Sequence, residues 1–478
     1  MKFKILGFTC AAALLLTACA PREWLLPKLG LTSPKLRDFP ADYKPPLSNE
    51  TGETMSGFGG GDGGVSHVPV IFIHGNTVSA RFWLPARAHF IKAGYSPSEL
   101  WALSYGWDNV RYFDSDDLSV PSIERIVSSV TAYMSQKTGQ PVPQVDIVAH
   151  SLGVTLVRQW MKQNNAWHRV RNFIGACGAN QGVWTAWPDA RGQQRGVSWE
   201  LAPGSPWLKQ LNRGGETPGA TRYMMLYDGT GWGDALFPSP HENDSALKGA
   251  YNLPFNVKHG TYYGHLELPR EPDTMDAMIG FLKQAPDLQP QAESPELLQE
   301  DDRIHSDQAD AVVRCAKGGD YPSARTPGHP EVMLSEQTLF TCFAHNPQTG
   351  LASPMVRYKH GSVKEESETV SLTANPAGGV FENPQNVTLS SNDPEAIIVY
   401  TTSGAMPNSG SPLYQEPVYI AGPLTLKAVA IAPDGRRSKP LNLNYDISLE
   451  KVEAAHTLQR QFDPAVPEHY EGRRKAGR

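Results

Sequence analysis

The chain has 478 residues, more than one compact core can organise, so two or three domains are expected. Its apolar and charged fractions, 40% and 19%, are those of a soluble globular protein rather than a disordered or membrane-spanning one. The formal net charge of −6, with both signs mixed throughout, gives no extended basic field and excludes nucleic acid as a partner.

At the N-terminus, Lys2 and Lys4 precede an apolar run from Ile5 to Leu16, and small residues follow as far as Cys19. This is the layout of a secretory signal, and it is too short to span a bilayer comfortably. No other segment looks transmembrane. Leu16, Thr17, Ala18 and Cys19 resemble the lipobox of bacterial lipoproteins. That resemblance implies that residues 1–19 are a lipoprotein signal and that Cys19, palmitoylated or otherwise acylated, anchors an exported protein to the cell envelope. Ala20 in the next position leans toward the outer membrane in a Gram-negative cell. An ordinary signal with an incidental cysteine fits the same small-residue pattern.

Residues 20–67 are rich in Pro and Gly, with Gly57, Gly59, Gly60, Gly61, Gly63 and Gly64 clustered, and read as a flexible tether unable to hold a helix or a central strand. From 68 to 283 apolar strand-like runs alternate with helix-like segments, which argues for βαβ units, an α/β class and a mostly parallel sheet. The expected strands are Val68 to Ile73, Leu100 to Tyr105, Gln144 to Val148, Asn172 to Ala176 and Arg222 to Tyr227, each continuously apolar as buried parallel strands are. Between them, Ser122 to Lys137 places Ile123, Ile126, Val127, Val130 and Met134 at helical spacing.

The strongest chemical signal is Val145-Asp146-Ile147-Val148 followed by Ala149-His150-Ser151-Leu152-Gly153 and a helix-like run to Asn164. A serine on a tight strand-to-helix turn has its hydroxyl lifted clear of the sheet, which is the setting of the α/β-hydrolase nucleophile elbow. Ala149 stands where Gly is commoner. A serine hydroxyl is a poor nucleophile unless an imidazole takes its proton and a carboxylate orients that imidazole, and in this fold the acid and the histidine follow the serine in that order. Asp234 is the favoured acid because it lies a few residues past the strand end, with Asp228 as the alternative. His265, in Gly264-His265-Leu266 just before the helix-like run Asp273 to Leu282, is the favoured base, with His259 as the alternative. The oxyanion donors are expected from the N–H groups of Leu152 and of Asn76, in the loop Ile73-His74-Gly75-Asn76 after the first strand.

Residues 284–310 are rich in Pro, Glu and Gln and read as a linker, and 311–366 show no clear period. In an exported chain Cys315 and Cys342 are close enough to pair, whereas Cys177 reads as a buried, inert thiol. Residues 367–448 carry short β-rich runs (Val370 to Thr373, Val387 to Ser390, Ala396 to Thr402, Leu424 to Ile431) at the spacing of an all-β sandwich. Residues 449–478, ending in Arg473, Arg474, Lys475 and Arg478, read as a solvated tail.

The set Val70 to Asn76, Val145 to Gly153, Gly233-Asp234 and Gly264-His265 resembles the class 2 lipases and the related extracellular polyhydroxybutyrate depolymerases of the α/β-hydrolase superfamily. The resemblance implies acyl-enzyme hydrolysis of lipid, short-chain or polyester substrates with Ser151, Asp234 and His265 as triad, and with neither metal nor other cofactor. Residues 180–212, with Trp184, Trp187, Trp199 and Trp207, look like that family's insertion at the active-site mouth, where aromatics either meet an apolar substrate or simply pack. Pro376 to Gly379, Tyr400 to Gly404 and Thr425 to Ala428 resemble the small immunoglobulin-like sandwich at the C-terminus of chitobiases and β-hexosaminidases, with Ser403 in place of the usual Asp. This implies a spacer or a module contacting polysaccharide or a surface, and leaves open a peptidase on the same triad or a non-catalytic adhesion protein.

Overall fold

In the computed structural model the described residues run from 35 to 447, apart from 50, 77, 106–118, 184–199, 230–233, 235–244, 256–261, 290–291, 336–338, 361–369, 403, 405, 408–410, 421–422 and 433–436. The signal, Cys19, His259, Trp184, Trp187, Trp199, Ser403 and the C-terminal tail therefore lie outside them.

Eight strands form one sheet: β1 (Arg37–Asp38), β2 (Gly57–Phe58), β3 (Val70–Ile73), β4 (Leu100–Leu103), β5 (Val145–His150), β6 (Val170–Ala176), β7 (Arg222–Asp228) and β8 (Tyr251–Phe255). Their order is β1-β2-β4-β3-β5-β6-β7-β8, parallel throughout except where β2 meets β4. The continuous apolar runs arise because both faces of the sheet are covered. Ile71, Ile73, Ile147 and Ala149 face one core with α2 (Val120–Thr138) and α3 (Leu152–Gln163), whereas Val70, Phe72 and Val148 face a second core with α1 (Leu84–Lys92). The second core also receives α6 (Pro272–Leu282), which follows α4 (Pro206–Asn212) and α5 (Tyr262–Glu267) in the chain. Chain order reverses about β3, with β4 on one side and β5 on the other. That reversal opens a crevice at the carboxyl ends of β3 and β5.

Three sequence expectations require correction. The segment expected to be a tether is bound to the domain from residue 35 onward: β2 lies inside the sheet, and Tyr43, Met55 and Phe58 are buried. Its glycines serve close approach, since a Cβ on Gly57 would stand 2.0 Å from the Ala102 carbonyl oxygen and one on Gly59 2.3 Å from the Trp101 ring. The linker is likewise fixed, because Arg171, paired with buried Asp146, also reaches the carbonyl of Pro286. Finally, β8 escaped the sequence reading because it is a partly exposed edge strand containing Pro254.

The end of the expected linker, from residue 297, joins the unassigned stretch in two antiparallel three-stranded sheets. One holds β9 (Leu297–Glu300), β10 (Arg303–Ser306) and β12 (Glu331–Met333), and the other β11 (Val312–Lys317), β13 (Leu339–His345) and β14 (Val356–Lys359). The disulfide Cys315–Cys342 joins β11 to β13. Tyr321, Phe343, Ala352 and Met355 belong to the same buried cluster as Trp167 and Tyr223, so this module packs on the hydrolase core instead of merely connecting domains.

The C-terminal strands are β15 (Leu372–Asn375), β16 (Gly379–Phe381), β17 (Gln385–Ser391), β18 (Ile397–Thr401), β19 (Val418–Ile420), β20 (Leu424–Ile431) and β21 (Leu441–Ile447). They make a three-stranded and a four-stranded sheet enclosing Val387, Ile420, Leu426, Ala428 and Ile447, the expected all-β sandwich. Strand β20 shows the alternation that one buried face imposes.

Candidate active site

Ser151 stands between β5 and α3 with φ 53° and ψ −125°, a backbone conformation that costs a non-glycine residue of order 1–3 kcal/mol. The neighbouring strands hold it there: its N–H donates to the Ala176 carbonyl at 2.9 Å, and its carbonyl accepts from Val154 at 3.0 Å. Small residues make the turn possible. A Cβ on Gly153 would lie 2.6 Å from the His74 carbonyl oxygen, and one on Gly75 would lie 2.7 Å from the Ser151 Cβ. As the first residue of α3, Leu152 has no carbonyl one turn back for its N–H to bond.

The loop after β3 borders the same crevice, because β3 and β5 are paired as far as Ile73 and Ala149. Buried His74 holds this loop: its Nε2 accepts from the Tyr105 N–H at 3.1 Å and its Nδ1 donates to the Gly75 carbonyl at 2.8 Å. Burial lowers the His74 pKa to about 4, so the imidazole is neutral, as this tautomer requires. Asn76 follows, half-buried at the rim.

His265 lies in α5, where its Nδ1 is 2.8 Å from Asp234 Oδ2 with both side chains almost fully buried. Asp228, at the end of β7, has a different place: its carboxylate accepts the Asp234 backbone N–H at 3.3 Å. Of the two candidate acids, Asp234 therefore meets the imidazole and Asp228 bonds the Asp234 backbone.

Two neighbours were not anticipated as parts of this site. His150 Nε2 donates to the His265 carbonyl at 2.9 Å, and its ring stacks on Phe82 at 4.7 Å, which ties α5 to the elbow strand. Cys177 is buried as expected, and its thiol lies under the influence of the Asp234 carboxylate. Burial, followed by the Asp234 and Asp228 charges, pushes that thiol well above its ordinary pKa and keeps it protonated. The only sequence signal for either was position, since both end strands at the carboxyl edge of the sheet.

Trp207 packs in the core on α4 and is not an exposed substrate contact. Two buried basic side chains fix this helix. Arg158 bonds Asn180 at 3.0 Å and Asn212 at 2.7 Å, and Lys162 donates to the carbonyls of Leu211 and Arg213 at the helix end.

A mostly parallel sheet with a serine elbow after β5, and with an acid and a histidine supplied from later in the chain, defines an α/β-hydrolase fold. Residues 67–229 match the family model of Lipase (class 2), and residues 376–442 match that of the Chitobiase/beta-hexosaminidase C-terminal domain. The chain is thus similar over these segments to the class 2 lipases and to the chitobiase-type C-terminal domain. The lipase match ends before Asp234 and His265.

No curated protein matches the chain by sequence. Among solved structures it is similar to the mature form of Bacillus licheniformis lipase BlEst2, at 19% identity and a TM-score of 0.35, covering 46% of this chain and 94% of that one. It is also similar to the phospholipase PlaB from Legionella pneumophila, at 13% identity and a TM-score of 0.30, covering 58% and 86%. These likenesses are distant, and the fold assignment rests on the sheet order and the family match.

Proposed function

We propose that the chain is a serine carboxylic ester hydrolase, a lipase or esterase working through an acyl-enzyme. The observation that carries this reading is the buried 2.8 Å bond between His265 Nδ1 and Asp234 Oδ2, in the domain that holds Ser151 on a strained elbow. Asp234 keeps the proton on Nδ1, so that Nε2 is the nitrogen that accepts the Ser151 proton. Ser151 Oγ then adds to the ester carbonyl, and the oxyanion is met by the N–H groups of Leu152 and Asn76. Collapse expels the alcohol, which takes the proton from His265. Water, deprotonated by the same imidazole, adds to the acyl-enzyme; collapse of that intermediate releases the acid and restores Ser151.

The lipase-family match supports a lipid or other apolar ester as substrate. We place the protein outside the cytoplasm, anchored through Cys19, on the N-terminal sequence alone. The C-terminal sandwich would then act as a spacer or as a contact to envelope polysaccharide, in keeping with its family.

The test is hydrolysis of p-nitrophenyl esters from acetate to palmitate by the form starting after Cys19, beside its Ser151→Ala variant. Turnover lost in the variant, with unchanged circular dichroism, supports the reading. Equal rates in the two proteins refute it.

A further inference from the structure

We propose that Cys177, His150 and His265 form a site for a thiophilic divalent cation, zinc being the fitting ion, and that its occupancy switches the hydrolase off. The proposal rests on the reading of His265 as the base of the reaction. The Cys177 sulfur and one ring nitrogen from each histidine lie within 4.8 Å of one another, and all three residues are buried. His150 ends β5 and pairs with Ala176 at the end of β6, which Cys177 directly follows, so the sheet positions two of the three donors. Because His150 donates from Nε2 to the His265 carbonyl, its lone pair is on Nδ1, which is buried without a hydrogen-bond partner. Desolvation keeps that ring neutral and able to donate the pair to a metal.

Tetrahedral zinc, with bonds of roughly 2.0 to 2.3 Å, holds its ligand atoms about 3.5 Å apart. The donors must therefore close by on the order of 1 Å, which rotation of the Cys177 and His265 side chains can supply. Charge also balances. On binding, the thiol proton leaves to solvent, and the resulting thiolate together with the adjoining Asp234 carboxylate neutralises the two charges of the cation. A set of one sulfur and two imidazoles selects zinc or cadmium over magnesium and calcium. Inhibition follows from the donor the metal takes. A His265 coordinated through Nε2 cannot accept the Ser151 proton, and one coordinated through Nδ1 has lost Asp234.

The experiment uses the form starting after Cys19, in which Cys177 is the one cysteine outside the disulfide. Cadmium titration should give stoichiometric thiolate-to-metal ultraviolet absorption in the wild type and equally in Ser151→Ala, which keeps every donor, but none in Cys177→Ala. Micromolar zinc should lower wild-type ester turnover about tenfold or more, reversibly by chelator, while Cys177→Ala, relative to its own metal-free rate, changes less than about twofold. Magnesium should do nothing. Should Cys177→Ala fail to fold, Cys177→Ser serves, because a hydroxyl is a poor zinc ligand. Absence of cadmium absorption in the folded wild type, or equal zinc inhibition in the cysteine variant, overturns the proposal. A chain with no esterase activity would sink the functional reading alone, and the cadmium absorption of Ser151→Ala would still decide the metal site.

Discussion

Replacing Asp234 by Asn should cost far more than replacing Asp228. The 2.8 Å bond at His265 Nδ1 fixes which ring nitrogen carries the proton. An amide at position 234 can turn its NH2 toward Nδ1, which would favour the tautomer with the proton on Nε2, facing the serine it should deprotonate. A fall in kcat of about 10³ to 10⁴ is expected, equivalent to roughly 4 to 5.5 kcal/mol of lost transition-state stabilisation. Asp228 instead accepts the Asp234 backbone N–H at 3.3 Å, a long contact that the oxygen of Asn can still make. Its replacement should cost about 1 kcal/mol or less, so at most about fivefold. The assay is kcat and KM on p-nitrophenyl butyrate for both variants, with thermal melts to show that each is folded. Equal losses, or loss only at position 228, would refute the assignment of roles.

The Gly75→Ala variant should lose activity without unfolding: its Cβ would stand 2.7 Å from the Ser151 Cβ and 3.0 Å from His150 Nδ1, so the elbow and the loop must separate. A shift on the order of 1 Å there should lower kcat about 100-fold, and a variant within about threefold of wild type would show that the contact relaxes harmlessly. Acidification should destabilise the fold through His74. Its pKa falls from the ordinary 6.5 to about 4 on folding, so the unfolded chain binds the extra proton and stability is lost as pH drops from 6.5 toward 4. Fully buried His74 accounts for roughly 2 kcal/mol of that loss at pH 5, read as the difference in urea midpoints between pH 7 and pH 5. In His74→Gln the pH dependence should shrink by that amount; an unchanged dependence would exclude His74 as its source.

The residues that faced a local constraint were legible in the sequence. Val145 to Gly153 combines a buried strand, a tight turn and the start of a helix, and the structure has all three within a residue or two of the expected places. Glycine was the least legible residue. The cluster Gly57 to Gly64 has the composition of a flexible tether, but what it lacks in side chains is filled by Trp101 and the backbone of Ala102. Whether a glycine is loose or tightly packed depends on what lies opposite, and that neighbour is some forty residues away in the chain.

The same division runs through the candidate site. Sequence order alone determined that a carboxylate and an imidazole must follow the serine, because the chain delivers them from later strands to one edge of the sheet. It favoured Asp234 over Asp228 only by its distance past the strand end, since chemistry is identical at the two positions. The contacts separate them: Asp234 Oδ2 lies 2.8 Å from His265 Nδ1, whereas Asp228 ends β7 and accepts the Asp234 backbone N–H. Nor could any local pattern show His150 and Cys177 beside that pair, because they arrive from separate strands and only the pairing of β5 with β6 brings them together.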